Sequence, residues 1–180
     1  MKLAVLAVAV LAAGCASTGT TAPTFTSTRP ATTSTVATAT NPPAVVLLPD
    51  PARTPGATNP AVTPATIHMT ICVPGWTATI RPSAAYTTGL KRRQLAAGYT
   101  WRGDANLADY EEDHLIPLEL GGAPSSPLNL WPQPYAGSGA RVKDRVENRL
   151  HALVCAGRVG LVVAQRAIAV DWWAAYHAYP

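Results

Sequence analysis

The densest run of reactive side chains in the sequence is Glu111-Glu112-Asp113-His114, and a second set, Lys143, Asp144, Glu147 and His151, stands further along the chain. Carboxylates beside an imidazole suit two tasks at once. Oxygen ligands hold a hard divalent cation, and a neutral histidine accepts a proton from water near neutral pH. At 100° per residue, Asp144, Glu147 and His151 fall within about 60° of one another on a helix, beside its apolar face. A hairpin placing Asp113 and His114 above that helix would gather carboxylates and an imidazole around one cation, the arrangement that metal-assisted phosphodiester hydrolysis requires. The same residues have plainer readings. Lys143 and Glu147 are spaced as an ordinary helical ion pair, His114 as a hydrogen-bonded turn histidine, and His151 as a partly buried helix residue.

The elements that must position these groups follow from periodicity. Residues 67–73 alternate enough for a strand and precede the turn Pro74-Gly75. Leu90, Gln94 and Leu95, with Lys91, Arg92 and Arg93 between them, fit a short amphipathic helix ending at Gly98. The Lys-Arg-Arg run is a weak candidate for phosphate contact, with Lys143 beside it in that role, although three charges in a row more often mark a wet helix face. Residues 110–120 read as two extended pieces bent at Pro117, and Gly121-Gly122 supplies a turn. Four prolines, Pro124, Pro127, Pro132 and Pro134, make the next stretch a structured loop. The strongest helix spans residues 139–156, with Val142, Val146, Leu150, Leu153 and Val154 on one face and Gly157 at its end. A helix over 161–170 and a terminal aromatic one from Trp172 complete an α+β domain, with Trp172 and Trp173 capping the core. His68 and His177 are read as structural or exposed.

The run 112–122, Glu-Asp-His-Leu-Ile-Pro-Leu-Glu-Leu-Gly-Gly, followed by Asn129-Leu130-Trp131-Pro132 and a helix carrying Lys143-Asp144, resembles the HNH or ββα-metal endonucleases. The resemblance covers residues 110–151 and implies a ββα-metal-like centre. It implies His114 as the general base, Asp113 as a metal ligand, and Asn129 as the residue that orients the imidazole and secures the loop. The cofactor implied is a divalent metal such as Mg2+, and the substrate a nucleic acid, DNA ahead of RNA. The sequence departs from the family at the helix. A His or Asn usually stands there a few residues before a lysine, whereas Ala140 stands three residues ahead of Lys143, so Asp144, Glu147 or His151 takes that place.

The rest of the chain says where such a domain would work. Lys2 is followed by eleven apolar residues, 3–13, and then by Gly14-Cys15, the order of a secretory signal. A bilayer-spanning helix needs about 20 apolar residues, so the segment is a signal and not an anchor helix. Leu11-Ala12-Ala13-Gly14-Cys15 resembles the bacterial lipobox, which implies cleavage after residue 14 and acylation at Cys15. In residues 16–65, Thr, Pro and Ala supply 33 of 50 positions and Arg29, Asp50 and Arg53 are the charges, a composition with little to bury. Residues 15–66 therefore read as a tether and 67–180 as the domain, which holds all five Trp and all six Tyr. The apolar patch 44–48 is a brief strand or a docking segment, or simply part of the tether. Of the three cysteines, Cys72 and Cys155 remain after lipidation, and in an exported protein such a pair reads as one disulfide ahead of a metal pair with histidine.

A net charge of +4 with 13% charged residues gives no basic tail that would announce nucleic-acid binding by itself. The expectation is a lipid-anchored nuclease in the bacterial cell envelope, needing no small-molecule cofactor and of unknown oligomeric state. The alternative from another class is a non-catalytic envelope domain that uses the same scaffold to bind a partner or surface polymer. A cell-wall-modifying module has only location in its favour. A helix ligand facing Asp113 and His114 separates the enzyme from the binding module.

Overall fold

A computed structural model of the chain describes residues 47–137 and 139–180. The signal segment, Cys15 and the tether up to residue 46 lie outside the described residues. No helix among the described residues is long and apolar enough to cross a membrane.

The described chain is α+β, built from α1 (Trp76–Ile80), α2 (Ala84–Ala96), β1 (Tyr110–His114), β2 (Leu130–Pro134), α3 (Ala140–Cys155) and α4 (Leu161–Ala178). β1 and β2 pair antiparallel in the register Tyr110↔Pro134 to His114↔Leu130. A two-stranded hairpin is marginal alone, so helices must cover it. α2 does so: Gln94 Nε2 donates to the Leu130 carbonyl at 2.8 Å and Lys91 Nζ to the Tyr110 carbonyl at 2.6 Å. α3 and α4 pack against each other around Ile116, Leu120, Val146, Leu150, Ile168 and Trp172. α4 breaks at Asp171, whose φ of −160° and ψ of 91° leave the helical region. Its Oδ1 accepts from Ala174 N at 2.8 Å, capping a separate aromatic segment as the sequence suggests. Trp172 is fully buried, and Trp173 meets it edge-on.

Several expectations change. Of the two extended pieces expected over 110–120, the second is a 3-10 turn, Leu118–Leu120, and Pro132 and Pro134, expected in a loop, lie in β2. Residues 67–73 are not a strand but a 3-10 turn, Ile67–Met69, followed by further turns to Val73. Threonine hydroxyls close them: Thr70 Oγ1 donates to the Thr66 carbonyl at 2.7 Å and Thr66 Oγ1 to the Ala61 carbonyl at 2.8 Å. Such local bonds offer the backbone an alternative to a sheet ladder. Residues 47–66, assigned to the tether on composition, pack on the domain. Trp172 Nε1 donates to the Leu47 carbonyl at 3.0 Å, Thr54 is buried, and Val62 enters the core. Asn59 N and Ala123 N bond across to the Gly121 and Ala57 carbonyls at 2.8 and 2.9 Å, so this segment clasps the glycine turn.

That turn admits no side chain. A Cβ at Gly122 would stand 1.8 Å from the Ile116 carbonyl oxygen and 2.7 Å from Asn129 Nδ2, and Gly121 has a φ of +76°. Cys72 and Cys155 form a disulfide across 83 residues, joining the turns ahead of α1 to the end of α3.

Because the bridge closes so long a loop, replacing both cysteines by serine should cost about 2–5 kcal/mol in urea unfolding relative to the oxidised chain. Non-reducing peptide mapping should recover Cys72 linked to Cys155; recovery of both as free thiols would rule the bridge out.

Candidate functional site

The hairpin and α3 meet over one side chain. Lys143 is fully buried, and its Nζ lies 2.8 Å from Asp113 Oδ2, donates to the His114 carbonyl at 2.7 Å, and pairs with Glu147 Oε1. Asp113 stands directly opposite Trp131 in the ladder, and Trp131 Nε1 donates to the same Oδ2 at 3.3 Å. One Asp113 oxygen is thereby committed, while Oδ1 carries no hydrogen bond among the described residues. Burial alone would push the Lys143 amine down, but Asp113 and Glu147 outweigh it and hold its pKa above the ordinary lysine value. Lys143 is therefore a buried structural cation, which rules out the phosphate contact expected for it.

His114 closes β1 and is 8% exposed. Its Nε2–H donates to the Pro124 carbonyl at 2.8 Å, which fixes the tautomer and leaves Nδ1 with the lone pair. Burial pushes its pKa down, so the ring is neutral at pH 7. Asn129, expected to orient the imidazole, makes no hydrogen bond to it among the described residues. Asn129 Oδ1 accepts from Ile116 N at 2.9 Å while Nδ2 donates to the Ile116 and Ala123 carbonyls at 2.9 and 3.2 Å. It secures the loop as expected, and the loop's own Pro124 carbonyl orients the ring. Tyr86 Oη donates to the Ser125 carbonyl, tying α2 to the same loop.

A cavity of about 180 Å³ opens beside these groups, lined by Glu111, Asp113, His114, Glu119, Asp144 and Glu147, with Thr77 and Arg81 across from them. Asp144 and Glu147 thus line the same cavity as Asp113 and His114. Burial raises the pKa of Glu111, Glu119 and Asp144, and nearby carboxylates raise it further. Glu147 is driven up to about 7 by burial, against the pull of Lys143. Glu119 Oε1 is buried without a hydrogen-bond partner among the described residues.

His151 goes elsewhere. Its ring lies beside the disulfide, with Nε2–H donating to the Ile71 carbonyl at 2.9 Å. Ligand atoms of Cys72, His151 and Cys155 lie within 4.8 Å of one another, a grouping that could hold a metal ion. The sulfurs are bonded to each other, however, and a metal needs thiolates, so the group can ligate only once the disulfide is opened.

Of the Lys-Arg-Arg run, Lys91 is spent on the Leu107 and Tyr110 carbonyls at 2.8 and 2.6 Å and so cannot serve as a free phosphate contact. Arg92 and Arg93 are exposed. Sequence reasoning missed Glu119, Arg81 and Thr77. The signal for Arg81 was its place in Arg81-Pro82-Ser83, where proline and a capping serine fix a lone cation between two helices.

Glu112, on the far side of β1, has both carboxyl oxygens buried without hydrogen-bond partners among the described residues. Burial lifts its pKa from 4.5 to about 8, against the opposing pull of Lys91.

Two expectations follow. Lys143→Met should cost about 3–5 kcal/mol in urea unfolding, because it strands Asp113 and Glu147 as buried carboxylates; a loss within 1 kcal/mol would show the trio to be dispensable. Glu112 is tolerated by the fold in its protonated form, so its contribution is intact below pH 4.5 and is lost as pH rises through about 8. Glu112→Gln should therefore gain stability over the wild type progressively between pH 5 and 9, whereas parallel stability curves would contradict the buried carboxyl.

No protein-family model matches this chain, and neither the curated proteins nor the solved structures give a match.

Proposed function

We propose that this chain is a metal-dependent phosphodiester hydrolase of the HNH or ββα-metal type, acting on nucleic acid and held outside the bacterial cytoplasmic membrane by lipid on Cys15. The observation that carries the reading is the convergence of His114, Asp113, Asp144 and Glu147 on one cavity of about 180 Å³ at the junction of an antiparallel hairpin and the helix after it.

The donor types suit a hard divalent cation, although among the described residues the group with three ligand atoms within 4.8 Å of one another is Cys72, His151 and Cys155, so the carboxylates would have to draw together on the ion. Five carboxylates line the cavity against one lining cation, Arg81, and Glu119 Oε1 is buried with nothing to satisfy it. Oxygen-only donors in negative excess suit Mg2+ or Mn2+. Asp113, Asp144 and Glu147 would hold the ion. When bound, it stabilises the charge that develops on the phosphate and the leaving oxygen.

The chain's own residues supply the base and its alignment. Neutral His114 accepts a proton from water at Nδ1 as the water oxygen bonds to phosphorus. The phosphorus–oxygen bond to the leaving strand breaks, that oxygen takes up a proton from solvent water, and the imidazolium returns its proton to solvent. The Pro124 carbonyl holds the ring through Nε2–H, and it stabilises the imidazolium that forms. Asn129 keeps Pro124 in place by bonding both edges of the loop. Lys143 holds the β1 end against α3 so that Asp113 and His114 face Asp144 and Glu147. The acids are least available at low pH, where Glu147, lifted to about 7, is protonated, so activity should rise toward neutral and alkaline pH.

One observation favours the non-catalytic alternative: Lys143 already neutralises one oxygen each of Asp113 and Glu147. Calorimetric titration of the full chain with Mn2+ decides whether the remaining oxygens bind metal.

Supercoiled plasmid should be cut by the full-length protein with Mg2+ or Mn2+ and left intact with EDTA. His114→Ala should lower the rate by about 10² to 10⁴ while the thermal midpoint stays close to wild type. An uncut plasmid in both metals, or a His114→Ala variant as fast as the parent, would defeat the proposal.

A further inference from the structure

We infer that Arg81, which lies outside the motif-bearing residues 110–151, is the phosphate anchor of this site and holds the nucleic-acid backbone at the mouth of the cavity. The inference rests on the hydrolase reading and names the residue that would capture its polyanionic substrate.

Arg81 borders two cavities, as do Glu111, Asp113 and His114. Besides the acidic cavity, it borders a larger groove of about 400 Å³ floored by Glu111 to His114 and walled by the first turns of α2. Its backbone is fixed by three features. It ends α1 in an extended conformation, with φ of −63° and ψ of 128°. Pro82 after it disfavours any return to helix, and Ser83 caps α2 through a bond from Tyr86 N at 3.3 Å. The disulfide at Cys72 anchors the preceding turns to the end of α3, so the connector is tied down at both ends.

The guanidinium itself is free. Arg81 is exposed, and its side chain makes no hydrogen bond or ion pair among the described residues, although it borders Glu111, Asp113, Glu119, Asp144 and Glu147. The other cation on the groove, Lys91, is bound to two backbone carbonyls and cannot turn outward without leaving them unpaired. A nucleic acid approaching five carboxylates meets repulsion at the reacting phosphate, so an anchoring cation is required at that edge. A planar fork of N–H donors that pairs with phosphate oxygens two at a time is the group suited to it.

The rival is a purely structural arginine offsetting the charge of Glu111. The two roles differ in what they do to salt dependence. Each phosphate neutralised adds about 0.9 to the slope of log K against log salt on duplex DNA and about 0.7 on single strands. The measurement is fluorescence anisotropy of labelled duplex and single-stranded DNA oligonucleotides with full-length protein carrying His114→Ala, so that no cleavage intrudes. Arg81→Ala in that background should weaken binding about tenfold at 0.1 M salt and reduce the slope by close to one phosphate. Arg81→Lys should restore the slope but only part of the affinity. An unchanged slope and affinity in Arg81→Ala, or no DNA binding by the parent, would overturn the inference. Cleavage by the otherwise wild-type chain is scored separately. If Arg81 governs binding and the wild type does not cut, the hydrolase reading falls and the anchor stands.

Discussion

The burial of Lys143 is the constraint on which the rest of the structure depends. An ammonium taken out of water is costly unless all three of its protons find acceptors, and here they find the His114 carbonyl, Asp113 and Glu147. Those partners belong to β1 and α3, so the hairpin cannot shift along the helix without stranding a charge. A one-residue slip of β1 would turn Asp113 away and bring a neighbouring side chain against Lys143. The side chains that could do chemistry therefore stand in register because a buried cation forbids any other register. The cost is that two carboxylates each give one oxygen to the lysine. The gain in definition is that their remaining oxygens have a fixed direction.

A second tier of constraints shapes the loop between the strands, and through it the state of His114. Gly122 lets the backbone pass against Ile116 and Asn129, where any side chain would collide. Asn129 then binds the loop at Ile116 and Ala123, and the loop presents the Pro124 carbonyl to the imidazole. The residues 47–66 close over the same turn from outside, through Asn59 and Ala57. A glycine, an asparagine amide and a proline carbonyl thus set the tautomer of a ring to which only the last is hydrogen-bonded. Replacing the asparagine would loosen the histidine without removing any hydrogen bond to it.

What could be read in the sequence was what depends on local pattern. The apolar stripe Val146, Leu150, Leu153, Val154 and the stop at Gly157 gave α3 to within a residue at each end. Helical spacing correctly put Asp144 and Glu147 on the side of Asp113 and His114, because both lie beside that stripe. Spacing could not separate His151 from them, since its direction depends on the Ile71 carbonyl, which the disulfide brings near. Composition misplaced residues 47–66 for a physical reason. Threonine, proline and alanine give no periodicity, yet Val62 and Leu47 suffice to seat the segment, and backbone bonds to the glycine turn do the remainder. Lys143 was hidden for the opposite reason: a lysine four residues before a glutamate looks like a surface pair, and only the tertiary fold buries it.

Residue 140 shows how these levels combine. Ala140 is buried and offers no donor, so in the proposed reading the helix contributes nothing at the position where the endonucleases that the sequence resembles carry His or Asn. Residues 144 and 147 lie on the same side of the helix one and two turns further on, about 6 and 10 Å along its axis. In that reading the ligand row is displaced toward the C-terminus of α3, and Lys143 stands between Glu147 and Asp113 of β1. An imidazole or amide donor there gives way to the carboxylates of Asp144 and Glu147, of which Glu147 pairs with Lys143. A site of carboxylate oxygens discriminates by hardness: it favours Mg2+ and Mn2+ and gives up the nitrogen donor that would favour Zn2+. The two cysteine sulfurs among the described residues, at Cys72 and Cys155, are bonded to each other, which keeps them from competing for a metal. The disulfide thus acts twice, tying the turns ahead of α1 to the end of α3 and keeping its two sulfurs from ligating a metal.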